Sequence, residues 1–273
     1  MKLMKKTFFA AAILAASAMI FAQDARSIVD KALNIKKPNF NHSIIEMDLI
    51  NKSGKIEEHR IIDELGRHNQ STDTSDVVMN FKSSTNKSNE GIKFLQKENK
   101  GKDDDKWIYM PSLKTTRRVN SSEGSKSFTG TDATYDDMST RELDDDTHEL
   151  LGEEEKNGYS CWKIQSTPTD ATFAKAQYKY RIQWIDKNTY TPVYAEMYDK
   201  KDGTLVKVLT VDKLENIQGY TITTSTTLKN VKNGHSTRIA AQKNAKSPNG
   251  YNIILDKAIP DSVFTQNYLN TAK

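Results

Sequence analysis

A single cysteine, Cys161, stands among 273 residues. One cysteine allows no internal disulfide, so stability has to come from a buried core. Set in GYSCWKI between apolar neighbours, Cys161 reads as a small buried hydrophobe. Catalytic signatures are equally scarce: there is no G-x-S-x-G, no H-E-x-x-H and no phosphate-cradling glycine loop. The five histidines, His42, His59, His68, His148 and His235, are scattered. His59 and His68 are expected on adjacent strand ends, and two histidines do not make a metal site. Asp144, Asp145, Asp146, His148 and Glu149 form the most metal-like group, but consecutive loop carboxylates are as a rule solvated. Asp103-Asp104-Asp105, offset by Lys100, Lys102 and Lys106, reads as a charged turn. These gaps point away from an enzyme and from a resident metal or cofactor.

Long hydrophobic runs are also missing, with one exception at the N-terminus. Lys2, Lys5 and Lys6 precede an uncharged apolar stretch from Thr7 to Met19, which gives way at Ala22 to Gln23 and Asp24. Charge, apolar core and small residue in that order predict a secretory signal over residues 1–22, cleaved near Ala22. The stretch is shorter than the ~20 residues that span a bilayer comfortably. No cysteine lies near the cleavage point to take a lipid. The formal charge of +4 belongs largely to the three signal lysines. The mature chain is therefore close to neutral, and no basic stripe interleaved with aromatics argues for nucleic acid.

What remains, residues 23–273, reads as one β domain. A helix comes first: Ala25, Ile28, Val29, Ala32 and Leu33 recur at helical spacing, with Asp24 as N-cap and Pro38 as the stop. Beyond Pro38 the period becomes two. SIIEMDLI and KIEEHRII flank Asn51-Lys52-Ser53-Gly54, a hairpin signal. SDVVMNFKS, GIKFLQKEN and KWIYMPS follow; then GYSCWKIQST, AQYKYRIQWID, PVYAEMYD, LVKVLTVDKL, YTITTSTTLKN, STRIAAQKN and YNIILD. The reading is mainly β, about ten or eleven antiparallel strands in one curved sheet or incomplete barrel. Tyr178, Tyr180, Ile182 and Trp184 share one strand face. DSVFTQNYL reads as a closing helical turn that packs Val263, Phe264 and Leu269 onto the sheet. Residues 120–150 break the pattern, with a short helix expected from Thr134 to Leu143. Such an insertion is either a lid or binding loop, or a solvated surface loop.

KWIYMPSLKTTRRVNSSEGSKSFTGTDATYDDM carries a more specific pattern. Trp107, Tyr109, Pro111, Arg117, Arg118, Ser127, Phe128, Gly130, Asp132, Tyr135 and Asp137 fall in fixed order. With WIDKNTYTPVYAEMYDKKDGTLVKV and ENIQGY, the chain resembles the LolA/LolB-like outer-membrane lipoprotein-sorting proteins over nearly its whole mature length. Ala133-Thr134 departs from the pattern, which has an aromatic before the tyrosine. The resemblance implies an unclosed antiparallel β-barrel around a helical or loop lid, with an apolar cavity for acyl chains. It implies a soluble periplasmic carrier of lipid or acylated lipoprotein, with an inner-membrane transporter as a further partner. The alternative is a periplasmic accessory or sensor module that contacts a transporter or regulatory protein. In this picture Trp107, Tyr109, Tyr180, Ile182 and Trp184 line the cavity. Arg117, Arg118, Phe128, Asp132, Tyr135 and Asp137 form the lid and its latch, through an arginine pair with Asp132 or Asp137.

Overall fold

The computed structural model describes residues 25–271. The signal at residues 1–22, its cleavage near Ala22 and the Asp24 cap lie outside them. The fold is mainly β, with fourteen strands, every pairing antiparallel. Strands β6 and β7 each pair on one side only, so the sheet is not closed. The described chain forms two compact units, residues 25–35 with 143–206, and residues 36–142 with 207–271.

The smaller unit begins with helix α1, residues 25–33. Its strands are β7 (Asp146–Lys156), β8 (Tyr159–Pro168), β9 (Tyr178–Asp186) and β10 (Pro192–Asp199), paired in that order, with one turn of helix, α2 (Asp170–Phe173), between β8 and β9. The stripe Ala25, Ile28, Val29, Ala32 and Leu33 packs on Ile164, Ile185, Leu150 and Trp162. Arg26 beside α1's first turn pairs with Asp144. Asn157 and Gly158 close the β7–β8 hairpin with both φ positive, at 55° and 79°; this left-handed pair matches strand twist and favours Asn-Gly.

The larger unit holds β1 (Phe40–Ile50), β2 (Ile56–Asn69), β3 (Thr74–Ser84), β4 (Lys93–Lys97), β5 (Asp105–Met110), β6 (Thr115–Arg118), most of β11 (Leu205–Ile217), β12 (Tyr220–Asn230), β13 (Ser236–Ala241) and β14 (Ile253–Leu255). Its strand order is β6-β5-β4-β3-β2-β1-β13-β12-β11, with β14 also on β1. The final segment supplies a 3-10 turn at Asp261–Phe264 and α3 (Gln266–Thr271). As the sequence suggested, Val263, Phe264 and Leu269 pack onto the sheet, against Leu65, Val78 and Leu95.

Three expectations change. The strand count rises to fourteen, partly because β7 starts inside the stretch read as irregular. That strand sits at an edge, exposes most of its side chains, and has a register shift between Leu150 and Gly152 that breaks its alternation. The helix expected from Thr134 to Leu143 reduces to one 3-10 turn, Asp136–Met138. His59 and His68 lie on one strand, because β2 continues through Gly66 to Asn69.

Candidate functional site

The irregular stretch of the larger unit folds back over its own sheet. Phe128, Tyr135 and, partly, Met138 pack on Ile45, Met47, Ile62, Phe81, Phe94 and Ile108. The rings meet edge to face: Phe128 is 4.9 Å from Phe94 and 5.6 Å from Tyr135, centroid to centroid. Inside the loop, the Phe128 and Ala133 backbones pair at 2.8 Å and Ser127 bridges Thr134. Gly124 is fixed by crowding: a Cβ there would stand 2.1 Å from an Asp136 carboxylate oxygen.

Four polar anchors hold this apolar underside in place. The first is Arg60 on β2, fully buried. Its guanidinium donates to Thr129 O at 2.7 Å and Thr129 Oγ1 at 3.0 Å, and grips Glu58 through two bonds of 2.8 and 2.9 Å. Burial raises the Glu58 pKa, but hydrogen bonds from Arg60, Ser84 and Asn89 outweigh it and hold the carboxyl at about 2. The second is Asp132, whose carboxylate accepts from Thr237 Oγ1 at 2.8 Å and lies 2.7 Å from His235 Nδ1. The third is Asp137, which accepts from Lys207 Nζ at 2.6 Å and caps the Thr134 backbone at 2.8 Å. The fourth joins Lys106, Ser139 and Asp104: Lys106 donates to Ser139 Oγ at 2.5 Å, which donates to Asp104 at 2.7 Å. Gln96 adds a bond to Met138 O at 2.9 Å. Burial lowers the Lys106 pKa and raises that of Asp136 nearby.

The residues singled out from the sequence fall into three places. Phe128, Asp132, Tyr135 and Asp137 are in the loop as expected, but the latch partners differ. Arg117 pairs with Glu123 at 2.8 Å and Arg118 with Asp105, on the exposed margin of β6. A four-residue edge strand points these arginines at the carboxylates beside them, and lysine and histidine from β11 and the β12–β13 turn reach the loop instead. Trp107 and Tyr109 flank Ile108 on β5, so they face away from the loop. They lie under the C-terminal segment with Phe264, Tyr268 and Leu269. Tyr180, Ile182 and Trp184 belong to the other unit, on the β9 face opposite α1. There Tyr180 stacks on Tyr198 at 4.4 Å and Trp184 meets Tyr194 at 5.1 Å. Lys156 caps both rings, 4.7 Å from Trp184 and 3.9 Å from Tyr194.

Arg60, Lys106 and Lys207 were missed. Lys106 and Lys207 sit at apolar-parity positions, with Ile108 and with Leu205 and Leu209, while Arg60 shares its face with Ile62 and Glu58. A charge on the buried parity of a strand was the available signal. The acidic group near residue 145 serves structure: Asp144 pairs with Arg26, Asp146 with Arg181, and His148 bonds Ser166 and Leu143 O. Among the described residues no cluster of three or more His, Cys, Asp or Glu is arranged to hold a metal. A recess of about 780 Å³ at the β2–β3 turn is lined by Phe40 together with Asn39, Arg67, His68, Gln70 and Asp76 among others.

Solved structures share this architecture. A DUF1329 family protein from Desulfovibrio piger superposes with a TM-score of 0.80 at 23% identity, covering 91% of this chain and 99% of its own. A domain from Vibrio parahaemolyticus assigned as an outer membrane lipoprotein-sorting protein gives 0.79 at 23%, with coverage of 91% and 99%. A LolA superfamily protein from Nitrosomonas europaea gives 0.62 at 19%, covering 89% and 98%. No curated protein sequence matches the chain. A family model described as "-like: Uncharacterized protein" matches residues 73–271, and the chain belongs to that family, with the fold of the LolA superfamily.

Proposed function

We propose that this protein is a periplasmic carrier that takes up the acyl chains of a lipid or lipoprotein beneath the 120–142 loop, for transfer toward the outer membrane. The observation that carries the reading is the division of labour in that loop. Its underside is apolar and aromatic, through Phe128, Tyr135 and Met138, while its attachments to β2, β5, β11 and β13 are polar. An acyl chain is chemically equivalent to the underside it displaces. Each buried methylene contributes ~0.8 kcal/mol, so a dozen supply ample affinity without a specific polar contact. The loop is the lid, with Phe128 and Tyr135 as its plug and Asp132 and Asp137 as its latch. Trp107 and Tyr109 support the opposite face beneath the C-terminal segment. The likeness to a lipoprotein-sorting domain and the export signal expected at residues 1–22 agree with this role.

The reading requires no nucleophile, metal or cofactor, and it leaves loading to a membrane partner such as an inner-membrane transporter. Native mass spectrometry of protein purified without detergent tests it. A bound lipid or acylated-peptide mass is expected. Protein that carries none, and takes up none from mixed phospholipid vesicles, would instead favour an accessory module that works through protein contact.

A further inference from the structure

Large apolar side chains left in water are few in the larger unit, and they are not scattered. Among its described residues Ile56 is 50% exposed, Leu113 62%, Val231 41% and Ile254 47%. The first three share one rim of the sheet. Strand directions alternate along β6-β5-β4-β3-β2-β1-β13-β12, so the C-terminal ends of β5, β1 and β12 point the same way. Leu113 lies in the turn after β5, Ile56 opens β2 directly after the turn that follows β1, and Val231 lies in the turn after β12. Ile254 pairs with His42, near the opposite end of β1. The turns of that opposite rim, such as residues 70–73 and 218–219, expose no large apolar side chain.

Each of the three has an exposed lysine as its sequence neighbour: Lys55-Ile56, Leu113-Lys114 and Val231-Lys232. Lys52 and Lys229 bring further exposed cations to the same turns. Against them stands the exposed carboxylate of Glu57, while the β3–β4 turn on this rim neutralises itself through Lys87 and Glu90. The tips are held firmly. Asn51 Oδ1 accepts from the Ser53 and Lys55 backbones at 3.0 and 3.1 Å, and Asn230 Oδ1 from the Lys232 backbone at 3.0 Å. A Cβ at Gly234 would stand 3.0 Å from Lys52 Cβ, so two of the tips pack side by side. Hairpin turns ordinarily take Gly, Asn, Asp or Ser. An aliphatic side chain at three of them, each beside a cation, has the composition of a surface that meets anionic head groups and the first methylenes beneath them.

We propose that this rim of the larger unit docks on a bilayer surface rich in anionic phospholipid. Ile56, Leu113 and Val231 enter the boundary between head groups and acyl chains, and the lysines beside them meet the phosphates. The same rim fastens the 120–142 loop: Arg60, further along β2 from Ile56, holds Thr129, and His235, in the turn that carries Val231, meets Asp132. Docking therefore sets two of the loop's anchors beside the membrane. The inference goes beyond the carrier reading and does not depend on it, because it concerns the outer surface and not the cargo.

Co-sedimentation of the mature protein with vesicles tests it, using phosphatidylcholine alone and phosphatidylcholine with about 30 mol% phosphatidylglycerol. The native protein is expected to bind the anionic vesicles about tenfold more tightly than the neutral ones, or better. Ile56→Ser/Leu113→Ser/Val231→Ser should weaken that binding about tenfold, and Lys55→Gln/Lys114→Gln/Lys232→Gln should remove the preference for anionic lipid. All six positions are exposed, so circular dichroism should show both variants folded. Ile254→Ser, away from the rim, should bind as the native protein does. Equal binding of the two vesicles, or full binding by the folded triple-serine variant, overturns the proposal. Native protein that stays in the supernatant with both vesicles also overturns it and leaves the rim to a protein partner. A lipid mass co-purifying with the protein reports on the carrier reading separately, so either idea can fail while the other stands.

Discussion

Lys207 of β11 donates to Asp137 of the loop at 2.6 Å, and both side chains are largely withdrawn from solvent. Removing one member of a buried pair strands the other charge, at a cost of about 3–5 kcal/mol. Lys207→Met is therefore expected to lower global stability and to loosen the loop first. Amide hydrogen exchange should accelerate at 126–139 well before it does in β1 to β3. Uniform acceleration across the unit would show that the pair is not the loop's own anchor.

Phe128 fills the center of the ring cluster beneath the loop. Phe128→Ala should cost about 3–5 kcal/mol through lost contact and residual cavity. If the plug and the cargo compete for one face, the folded variant should also bind a fluorescent acyl probe more tightly than the native protein. A variant that is destabilised yet binds the probe no better contradicts that competition.

Two glutamates on β2 give opposite pH signatures. Glu64 has its folded pKa raised to about 7 from 4.5, so the folded state holds its proton longer. Its contribution is present below 4.5 and lost as pH rises through 7. Glu64→Gln should then be more stable than native protein at pH 8, by about 1–3 kcal/mol, with the gap closing below pH 4.5. Denaturant titrations at pH 4, 6 and 8 measure this directly; a pH-independent gap refutes the shifted carboxyl.

Glu58 runs the other way. Its folded pKa is held at about 2, below the ordinary 4.5. The stability it contributes is present above 4.5 and drains as pH falls through 2. The paired variant Glu58→Gln/Arg60→Met should lack this acid-sensitive component, so its unfolding profile between pH 4.5 and 2 should be flatter than that of native protein. Arg60→Met alone should be the least stable form at neutral pH, since it leaves Glu58 buried without its cation.

Leu269 is fully buried in α3, beside Phe264 and the partly buried Trp107. Leu269→Ala should cost about 2–5 kcal/mol and loosen the C-terminal cover. Because Trp107 lies under that cover, its emission should shift to the red in the folded variant. An unchanged spectrum would mean that Leu269 does not keep water from the indole.

Much of this architecture is written in local patterns. The α1 stripe, the alternation of β9 and the closing turn at Val263–Leu269 could be read because each is a periodic apolar pattern on one element. Strand β7 escaped because an edge strand that exposes most of its side chains shows little alternation. The loop's sequence marked it as unusual, but its anchors are contributed by residues far away along the chain. Asp132 meets Thr237 and Asp137 meets Lys207 only once the sheet exists, and no spacing rule links them. Arg117 and Arg118 drew attention by adjacency, while the guanidinium that holds the loop is Arg60, which shares its β2 face with its partner Glu58.

The scattering of those anchors also orders events in time. Arg60 lies in the first quarter of the chain, and Lys207, His235 and Thr237 lie in the last quarter. The loop has nothing to close against until strands from both ends of the sequence have met, and long-range pairings of this kind are slow to form. Docking of Phe128 is thus a late event in folding of the unit. Protease resistance at residues 120–142 during refolding would then serve as a clock for completion of the whole unit.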